Sequence, residues 1–339
     1  TTSFFYDDRG PLQIRTDPLS KLNTFAYDDA GRLVSKTDRN GQTISYAYTP
    51  SDKLEKIMYP DLTTVQFTYD LHDKLTSMQD LMGTTTYTYD EIYRLKSVSD
   101  PHGLTISYEY DAGNNITRLI YPPQAGQADG KDVRYSYDAL NRLKTVTNWL
   151  NQTAVYTYDN AGRLTSLSNF NGTTAAYGYD DANRLTILEN RKSDLSVITT
   201  YAYTLDGNGN RTQVTQDEPL LPVQNDEVTN FTYNNERNRL LSANATNFTY
   251  DDEGQQATNN GNSYSFDYEH RLIAVTLSSG GRGMGEGVSS SYRYDGNGKR
   301  LEATRNGVVT RYIYDPAGNL LAEADSGNNI FRYYVYGQA

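Results

Sequence analysis

Three histidines are the side chains of this 339-residue chain best suited to acid-base or metal chemistry. His72, His102 and His270 could act in either way, because imidazole titrates near neutral pH and binds metals. Each stands alone in the sequence, in or beside a predicted turn. We therefore expect solvated turn residues, and the sequence predicts no catalytic residue and no metal site.

Calcium offers the nearest match to a metal motif. Asp206-Gly207-Asn208-Gly209-Asn210 resembles the start of an EF-hand loop, in which alternate oxygens bind the ion. The sixth position of that loop requires glycine but is Arg211 here, and the twelfth is Asp217 instead of glutamate. The segment also coincides with a turn that recurs along the chain, as does Asp295-Gly296-Asn297-Gly298-Lys299. A turn is therefore the favoured interpretation.

Other catalytic signatures are missing from the sequence. It contains no Gly-x-Ser-x-Gly, His-Glu-x-x-His or Gly-x-x-x-x-Gly-Lys motif and no cysteine. Gly283-Met284-Gly285-Glu286-Gly287 lacks the strand and helix that dinucleotide binding requires, and it is predicted to be a flexible loop. Many carboxylates occur, but most belong to repeated turns. We expect no enzyme activity and no cofactor.

Charge and hydropathy limit the partners. The 42 acidic residues exceed the 31 basic ones, which gives a net charge of -11. This balance disfavours nucleic acids and anionic membranes, because both attract clustered Lys and Arg. No apolar run approaches the roughly 18 residues of a membrane span, so membrane insertion is not expected.

Tyrosine defines the elements that would position any site. The chain has 31 tyrosines, and the pattern aromatic-x-Tyr recurs with a period of about 21 residues. After Phe4-Phe5-Tyr6, the second tyrosines of the pairs are Tyr27, Tyr48, Tyr69, Tyr89, Tyr110, Tyr137, Tyr158, Tyr179, Tyr203, Tyr233, Tyr250, Tyr268, Tyr294, Tyr314 and Tyr336. Alternation with small polar residues, as in Thr84 to Tyr89, predicts strands whose paired aromatics share a face.

Turn residues follow most of these tyrosines. Asp comes first, Gly or Asn follows near the fourth position, and then a basic residue and Leu begin a second strand, as in Tyr158-Asp159-Asn160-Ala161-Gly162-Arg163-Leu164. Asp can bond the backbone two residues on, and Gly or Asn tolerates positive φ. The predicted turn residues are Asp28, Gly31, Asp70, Asp90, Asp138, Asp159, Gly162, Asp180, Asp295 and Asp315.

These patterns predict an all-β chain of tandem antiparallel hairpins, forming a single array over residues 1–339. Irregular repeats or loops are expected near 121–134, 214–230 and 278–291, and we interpret them as mobile excursions. Tyrosine rings on neighbouring strands are expected to stack as a structural spine, because strands pair about 4.7–4.9 Å apart. A sheet of this kind twists, so it should coil into a spiral.

The chain resembles the Rhs or YD-repeat family in these in-phase Tyr-Asp units. Its members include bacterial Rhs toxins, the C components of insecticidal ABC toxin complexes, wall-associated proteins and teneurin ectodomains. The resemblance implies a spiralling sheet that can close into a hollow shell, secreted or at the bacterial cell surface. In toxin members the shell encloses a cytotoxic C-terminal polypeptide, which is the implied partner. We expect an open or partial shell, because the segment 333–339 resembles the region before the family's closing segment.

Two further points come from the resemblance. Rhs cores are similar to aspartic autoproteases, with Asp-Pro-x-Gly-Leu motifs near their C-terminal end. One match to that string is Asp100-Pro101-His102-Gly103-Leu104, but it falls at an ordinary second turn of a repeat. A second, Asp315-Pro316-Ala317-Gly318-Asn319, has Asn in place of Leu. We therefore assign a catalytic role to neither segment. The family is also linked with carbohydrates, and exposed rows of tyrosine could bind glycans, which leaves an adhesion module as the alternative function.

Overall fold

The computed structural model describes residues 2–124, 126–218, 230–233, 239–277 and 289–337. These residues form 31 antiparallel strands in sheets of 20 and 11 strands, with no helix among them. None of the described residues therefore forms a helix long and apolar enough to cross a membrane. The predicted all-β hairpin fold is confirmed. The glycine-rich segment 283–287 and most of the predicted loops at 214–230 and 278–291 lie outside the described residues.

The chain divides into two compact units. Unit 1 contains Thr1–Thr105 and Glu227–Tyr333, and unit 2 contains Ile106–Asp226 and Tyr334–Ala339. The division groups residues by their contacts in space, so it does not test whether the repeats run as one continuous array along the chain. A single repeat array over residues 1–339 therefore stays a prediction.

The first segment of unit 1 is a meander in which each strand pairs with the next. Its strands are β1 Ser3–Tyr6, β2 Leu12–Thr16, β3 Leu22–Tyr27, β4 Leu33–Thr37, β5 Thr43–Tyr48, β6 Leu54–Met58, β7 Thr64–Tyr69, β8 Leu75–Asp80, β9 Gly83–Tyr89 and β10 Leu95–Ser99. Aromatic strands thus alternate with strands that begin at leucine.

The remaining strands alternate in the same way, although some of the second strands begin at Ile, Arg or Gln instead of leucine. In unit 2, apart from the first residue of β11, they are β11 Thr105–Tyr110, β12 Ile116–Ile120, β13 Asp132–Tyr137, β14 Leu143–Thr147, β15 Thr153–Tyr158, β16 Leu164–Ser168, β17 Thr174–Tyr179, β18 Leu185–Arg191, β19 Val197–Leu205 and β20 Arg211–Asp217. The second segment of unit 1 contains β21 Phe231–Tyr233, β22 Leu240–Ala243, β23 Thr246–Tyr250, β24 Gln256–Asn259, β25 Asn262–Phe266, β26 Leu272–Thr276, β27 Ser289–Tyr294, β28 Arg300–Arg305, β29 Val308–Tyr314, β30 Leu320–Ala324 and β31 Ile330–Tyr333.

Alternation along the strands places one face of each meander in a core. In the first segment of unit 1 the buried residues of the core cluster are Ile44, Ile57, Val65, Phe67 and Met78. In unit 2 they include Ile106, Leu119, Val133, Val146 and Ala154. These side chains come from aromatic and leucine strands alike, so burying them requires several hairpins together.

The expected stack of tyrosine rings on neighbouring strands is wrong in its geometry. The leucine strand β4 pairs with β3 on one side and β5 on the other, so it separates Tyr27 from Tyr48. Successive aromatic strands are therefore two strand spacings apart, about 9.5 Å. Contact between the tyrosines of successive aromatic strands therefore requires other side chains or backbone groups between them.

The predicted irregular segment 121–134 begins in the core of unit 2. Tyr121 is only 1% exposed, its hydroxyl donates to the Tyr334 carbonyl at 2.6 Å, and its ring meets Trp149 edge-on at 5.7 Å. β12 ends at Ile120 and β13 begins at Asp132, and a buried tyrosine anchors the start of the segment between them.

Candidate functional site

The Tyr-Asp turn is the repeated polar site of the fold, and Asp159 shows its geometry. Oδ1 of Asp159 accepts the backbone N–H groups of Ala161 and Arg163, both at 2.9 Å. Oδ2 accepts Nε of Arg163 at 2.7 Å. The Asp159 and Gly162 amides close the backbone ring with the Arg163 and Asp159 carbonyls. Both carboxylate oxygens are thus used inside the turn.

The same bonds recur at most of the predicted aspartates. Oδ2 binds Nε of an arginine four residues on at Asp28, Asp90, Asp138 and Asp180. Where lysine or asparagine replaces that arginine, Oδ1 still accepts the backbone, as at Asp70, Asp295 and Asp315. At Asp138, the hydrogen bond from the Arg142 side chain and then those from the backbone lower the pKa of the carboxyl. The charged form of this aspartate is therefore the one that the turn stabilises.

The fourth turn position has a left-handed backbone. Gly31 has φ of 79° and Gly162 has φ of 85°, and Asn141 and Asn183 occupy the same region at 60° and 64°. Such φ values cost little for Gly and Asn and more for other residues. His270 stands at this position too, with φ of 66°.

The arginine of one turn reaches the tyrosine of the next repeat. The guanidinium of Arg142 lies 4.5 Å from the centre of the Tyr158 ring, and that of Arg163 lies 5.0 Å from Tyr179. In unit 1, Arg32 lies 4.9 Å from Tyr48. A guanidinium over an aromatic face is attracted by the ring quadrupole. This contact bridges part of the gap between aromatic strands.

The tyrosine hydroxyl completes the connection by donating to the backbone of the previous repeat. Tyr158 donates to the Leu143 carbonyl at 2.8 Å. The same bond joins Tyr27 to Leu12, Tyr48 to Leu33, Tyr69 to Leu54, Tyr89 to Leu75, Tyr137 to Ile116, Tyr179 to Leu164, Tyr250 to Leu240 and Tyr294 to Leu272. Burial, with a smaller contribution from Asp111, raises the pKa of Tyr137 to about 12, which keeps its hydroxyl a donor.

We call this Asp-to-Arg, Arg-to-Tyr and Tyr-to-carbonyl series the repeat connection. Sequence reasoning found its aspartates and tyrosines but missed the bond to the leucine carbonyl. The interval of 15 residues between the leucine and the tyrosine, found in five of the nine bonds, is the signal that could have indicated it.

The structure also shows where each predicted tyrosine lies. Tyr27, Tyr48, Tyr69, Tyr89, Tyr110, Tyr137, Tyr158, Tyr179, Tyr233, Tyr250, Tyr294 and Tyr314 each end a strand, directly after a register shift. All of them are half-buried except Tyr233, which is 51% exposed.

Two of the predicted tyrosines do not end a strand. In the repeat of β25 the strand ends at Phe266, and Tyr268 lies inside the turn that starts at Asp267. In the repeat of β19 the strand ends at Leu205, two residues after Tyr203. In both repeats the strand ends at the residue before the turn aspartate, Phe266 before Asp267 and Leu205 before Asp206.

The sequence motifs considered for chemistry lie in turns of the same kind. Asp206 uses Oδ1 for the amides of Asn208 and Asn210 and Oδ2 for the Asn210 side chain. Asp100 uses Oδ1 for the amides of His102 and Leu104. Its Oδ2 is buried without a hydrogen-bond partner, and burial raises the pKa of Asp100 to about 6.

Within unit 1, turns of the two segments meet. The Tyr59 hydroxyl donates to Glu269 at 2.7 Å, and the Gly296 amide donates to Oδ2 of Asp80 at 2.7 Å. Nδ2 of Asn328 donates to the His102 carbonyl at 3.0 Å. These contacts join residues more than 200 positions apart, and nothing in the local sequence pattern predicted them.

The geometry defines the class of protein as a tandem β-hairpin repeat held by aspartate turns. The Teneurin YD-shell family model matches residues 1–80, and the RHS Repeat model matches residues 94–122, 158–190 and 294–330. The chain belongs to the Rhs/YD-repeat family.

Similar proteins support the same family. The chain is 33% identical over 261 residues to the tRNA nuclease WapA of Bacillus subtilis strain 168, covering 77% of this chain and 10% of that protein. The tRNA3(Ser)-specific nuclease WapA of Bacillus spizizenii matches to the same extent. The chain thus spans about a tenth of the length of these curated relatives.

A solved structure shows the same fold. The crystal structure of TcdB2-TccC3-TEV matches with a TM-score of 0.65 and 14% identity, covering 99% of this chain and 25% of that one. TcdB2-TccC3 without its hypervariable C-terminal region gives a TM-score of 0.64. At this identity the likeness concerns the fold alone.

Proposed function

We propose that this chain is a non-catalytic wall segment of an Rhs-type shell, which encloses or displays a C-terminal toxin or effector polypeptide of the full-length protein. The repeat connection is the observation that carries the proposal. It uses the recurring aspartates, arginines and tyrosines to join hairpins, so the abundant charged residues are explained by wall construction.

The relatives support a toxin cargo. The curated relatives are named as tRNA nucleases, and this chain matches about a tenth of their length. A matching segment that makes up about a tenth of each relative leaves most of that protein for other parts, including a separate catalytic domain. Secretion or display at the bacterial surface, and an array that continues unbroken over residues 1–339, belong to the same proposal.

Protease protection of the C-terminal polypeptide tests this function. In the full-length gene product, we expect the polypeptide to resist limited proteolysis while the wall is intact. Asp159→Ala combined with Asp138→Ala, which breaks two successive turns, should expose it, whereas changes at the exposed Asn160 should not. Equal cleavage rates of the C-terminal polypeptide with and without an intact wall would contradict enclosure. Access of an antibody to that polypeptide in the intact protein would test display.

Glycan binding is the second candidate function, and one cleft favours it. A cavity of about 490 Å³ in unit 1 is lined by Tyr59, Tyr268, Tyr292, Tyr294 and Glu269, among others. Aromatic faces beside carboxylates suit the stacking and hydrogen bonding of sugars. The half-buried state of most spine tyrosines argues against a long exposed binding row. Selective binding on a glycan array, lost on Tyr268→Ala, would favour this function over the first.

A further inference from the structure

A cluster of potential metal ligands forms where the two segments of unit 1 meet. Asp38 lies in the β4–β5 turn, Glu253 in the β23–β24 turn and His270 in the β25–β26 turn. One carboxylate oxygen from each acid and an imidazole nitrogen all lie within 4.8 Å of one another. Sequence reasoning assigned His270 to solvent, but its side chain is only 29% exposed and its Nε2 lies 4.0 Å from Oδ2 of Asp38.

Asp38 provides the decisive observation, because its side chain is almost fully buried and yet one of its carboxylate oxygens accepts no hydrogen bond. Only 6% of its side chain is exposed. Oδ1 accepts the amides of Asn40 and Gln42 at 2.9 and 2.8 Å. In the Tyr-Asp turns an arginine four residues on occupies Oδ2, but here that residue is Gln42, and no donor among the described residues bonds Oδ2. A carboxylate oxygen that lacks a donor on so buried a side chain is a suitable ligand for a cation.

The net negative charge of the cluster favours the binding of such a cation. Glu253 is 9% exposed, and Arg39 holds it through its backbone amide on Oε1 at 2.5 Å and Nη2 on Oε2 at 2.8 Å. Arg39 also pairs with Asp17 at 3.4 Å, and among the described residues no salt bridge joins it to Asp38. One guanidinium thus serves the carboxylates of Glu253 and Asp17, so the cluster stays negative when His270 is neutral. Oε2 of Glu253 accepts both Nε and Nη2 of Arg39, at 3.0 and 2.8 Å, whereas Oε1 accepts the Arg39 amide and retains a further lone pair for a cation.

A cavity beside the cluster supplies space for water. It measures about 240 Å³ and is lined by Asp38, His270, Gln255, Asp251 and Asp267, among others. Nε2 of Gln255 is also buried without a hydrogen-bond partner. Ordered water in such a polar cavity can complete the coordination of an ion held by three protein ligands.

We propose that Asp38, Glu253 and His270 bind one divalent transition-metal ion of the zinc type. An imidazole nitrogen with two carboxylates favours zinc or its neighbours over calcium and magnesium, which take oxygen ligands. A metal at about 2.0–2.2 Å from nitrogen and oxygen can span up to about 4.4 Å, and the 4.0 Å between Nε2 and Oδ2 falls within that reach. The ion would tie a turn of one segment to two turns of the other, independently of what the wall encloses.

Calorimetric titration of the full chain with ZnCl2 tests the site, with CaCl2 in parallel. We expect one zinc ion per chain and weaker calcium binding. His270→Asn should weaken zinc binding by more than about tenfold, and it should preserve the turn because Asn141 and Asn183 adopt the same backbone conformation. Asp38→Asn should act similarly, since its Oδ1 can still accept the two amides.

His72→Asn is the matched control, because that exposed histidine lies in another turn and should leave zinc binding unchanged. Zinc should also raise the thermal midpoint of the wild-type chain and not that of His270→Asn. Should either variant fail to fold, the visible spectrum of Co²⁺ bound to the wild-type chain shows whether a histidine binds the metal, because imidazole ligation alters that spectrum. The proposal is overturned by an absence of zinc binding, by zinc affinity unchanged in His270→Asn, or by calcium binding as tight as zinc.

Discussion

Gly296→Ala is the sharpest test of how the two segments of unit 1 pack. A Cβ at this position would overlap Cγ1 of Val65 and lie 3.0 Å from the sulfur of Met78. Val65 is 3% exposed and Met78 is fully buried, so neither has free space to move into. The amide of Gly296 is also fixed by its 2.7 Å bond to Asp80.

Gly207 is a matched control within the same protein. It holds the same place in the Asp206-Gly207-Asn208-Gly209 turn that Gly296 holds in the Asp295-Gly296-Asn297-Gly298 turn. Neither glycine has positive φ, and an added Cβ at Gly207 meets nothing within 4 Å. Backbone conformation and local sequence are therefore alike, and only the tertiary surroundings differ.

We expect Gly296→Ala to lower the free energy of unfolding by about 1–3 kcal/mol, the usual cost of overpacking a core. Gly207→Ala should be neutral or stabilising by up to about 1 kcal/mol, because alanine restricts the unfolded chain. Urea denaturation followed by circular dichroism measures both, and hydrogen exchange should locate the loss of protection in β7 and β8, which carry Val65 and Met78.

A double-mutant cycle with Val65→Ala separates overlap from other causes. Removing the two methyl groups should make Gly296→Ala less harmful, with a favourable coupling of about 0.5–3 kcal/mol. Equal effects of Gly296→Ala and Gly207→Ala, or no coupling to Val65, would refute the packing of these turns against the core of the first segment.

Three further outcomes follow from the turns and the repeat connection. Asp100→Asn should raise stability at pH 7 by at most about 3 kcal/mol, because burial raises the pKa of Asp100 from 3.8 to about 6. Stability from the protonated carboxyl is present below about pH 4 and lost as the pH rises through about 6, so urea midpoints between pH 4 and 7 should flatten in the variant. Gly162→Ala should destabilise by about 1–2 kcal/mol in thermal unfolding, whereas Gly162→Asn should cost less; equal costs would contradict the left-handed φ. Tyr158→Phe should cost about 0.5–1.5 kcal/mol for the lost bond to the Leu143 carbonyl, and an unchanged urea midpoint would count against that bond.

The strands and turns were predictable from the sequence because both depend on neighbouring residues. Alternation of large and small side chains predicts a strand, and Asp with Gly or Asn three positions later predicts the turn that ends it, as in Asp159 and Gly162. Repetition made each of these weak local signals strong. Tyr203 and Tyr268 show the limit of the aromatic pattern alone, since the turn aspartate and not the tyrosine sets the strand end.

Only the tertiary structure decided which turns meet and what each side chain touches. The backbone amide of Arg39 bonds Glu253 across 214 residues, and no local rule fixes that pairing. His102 and His270 looked equivalent to solvated His72 in the sequence, yet His270 faces a buried carboxylate. The sequence by itself determined that this chain is an array of β-hairpins, because turn and strand preferences are local. The tertiary structure determined the repeat connection and the Asp38 cluster, because packing between distant segments chooses their partners.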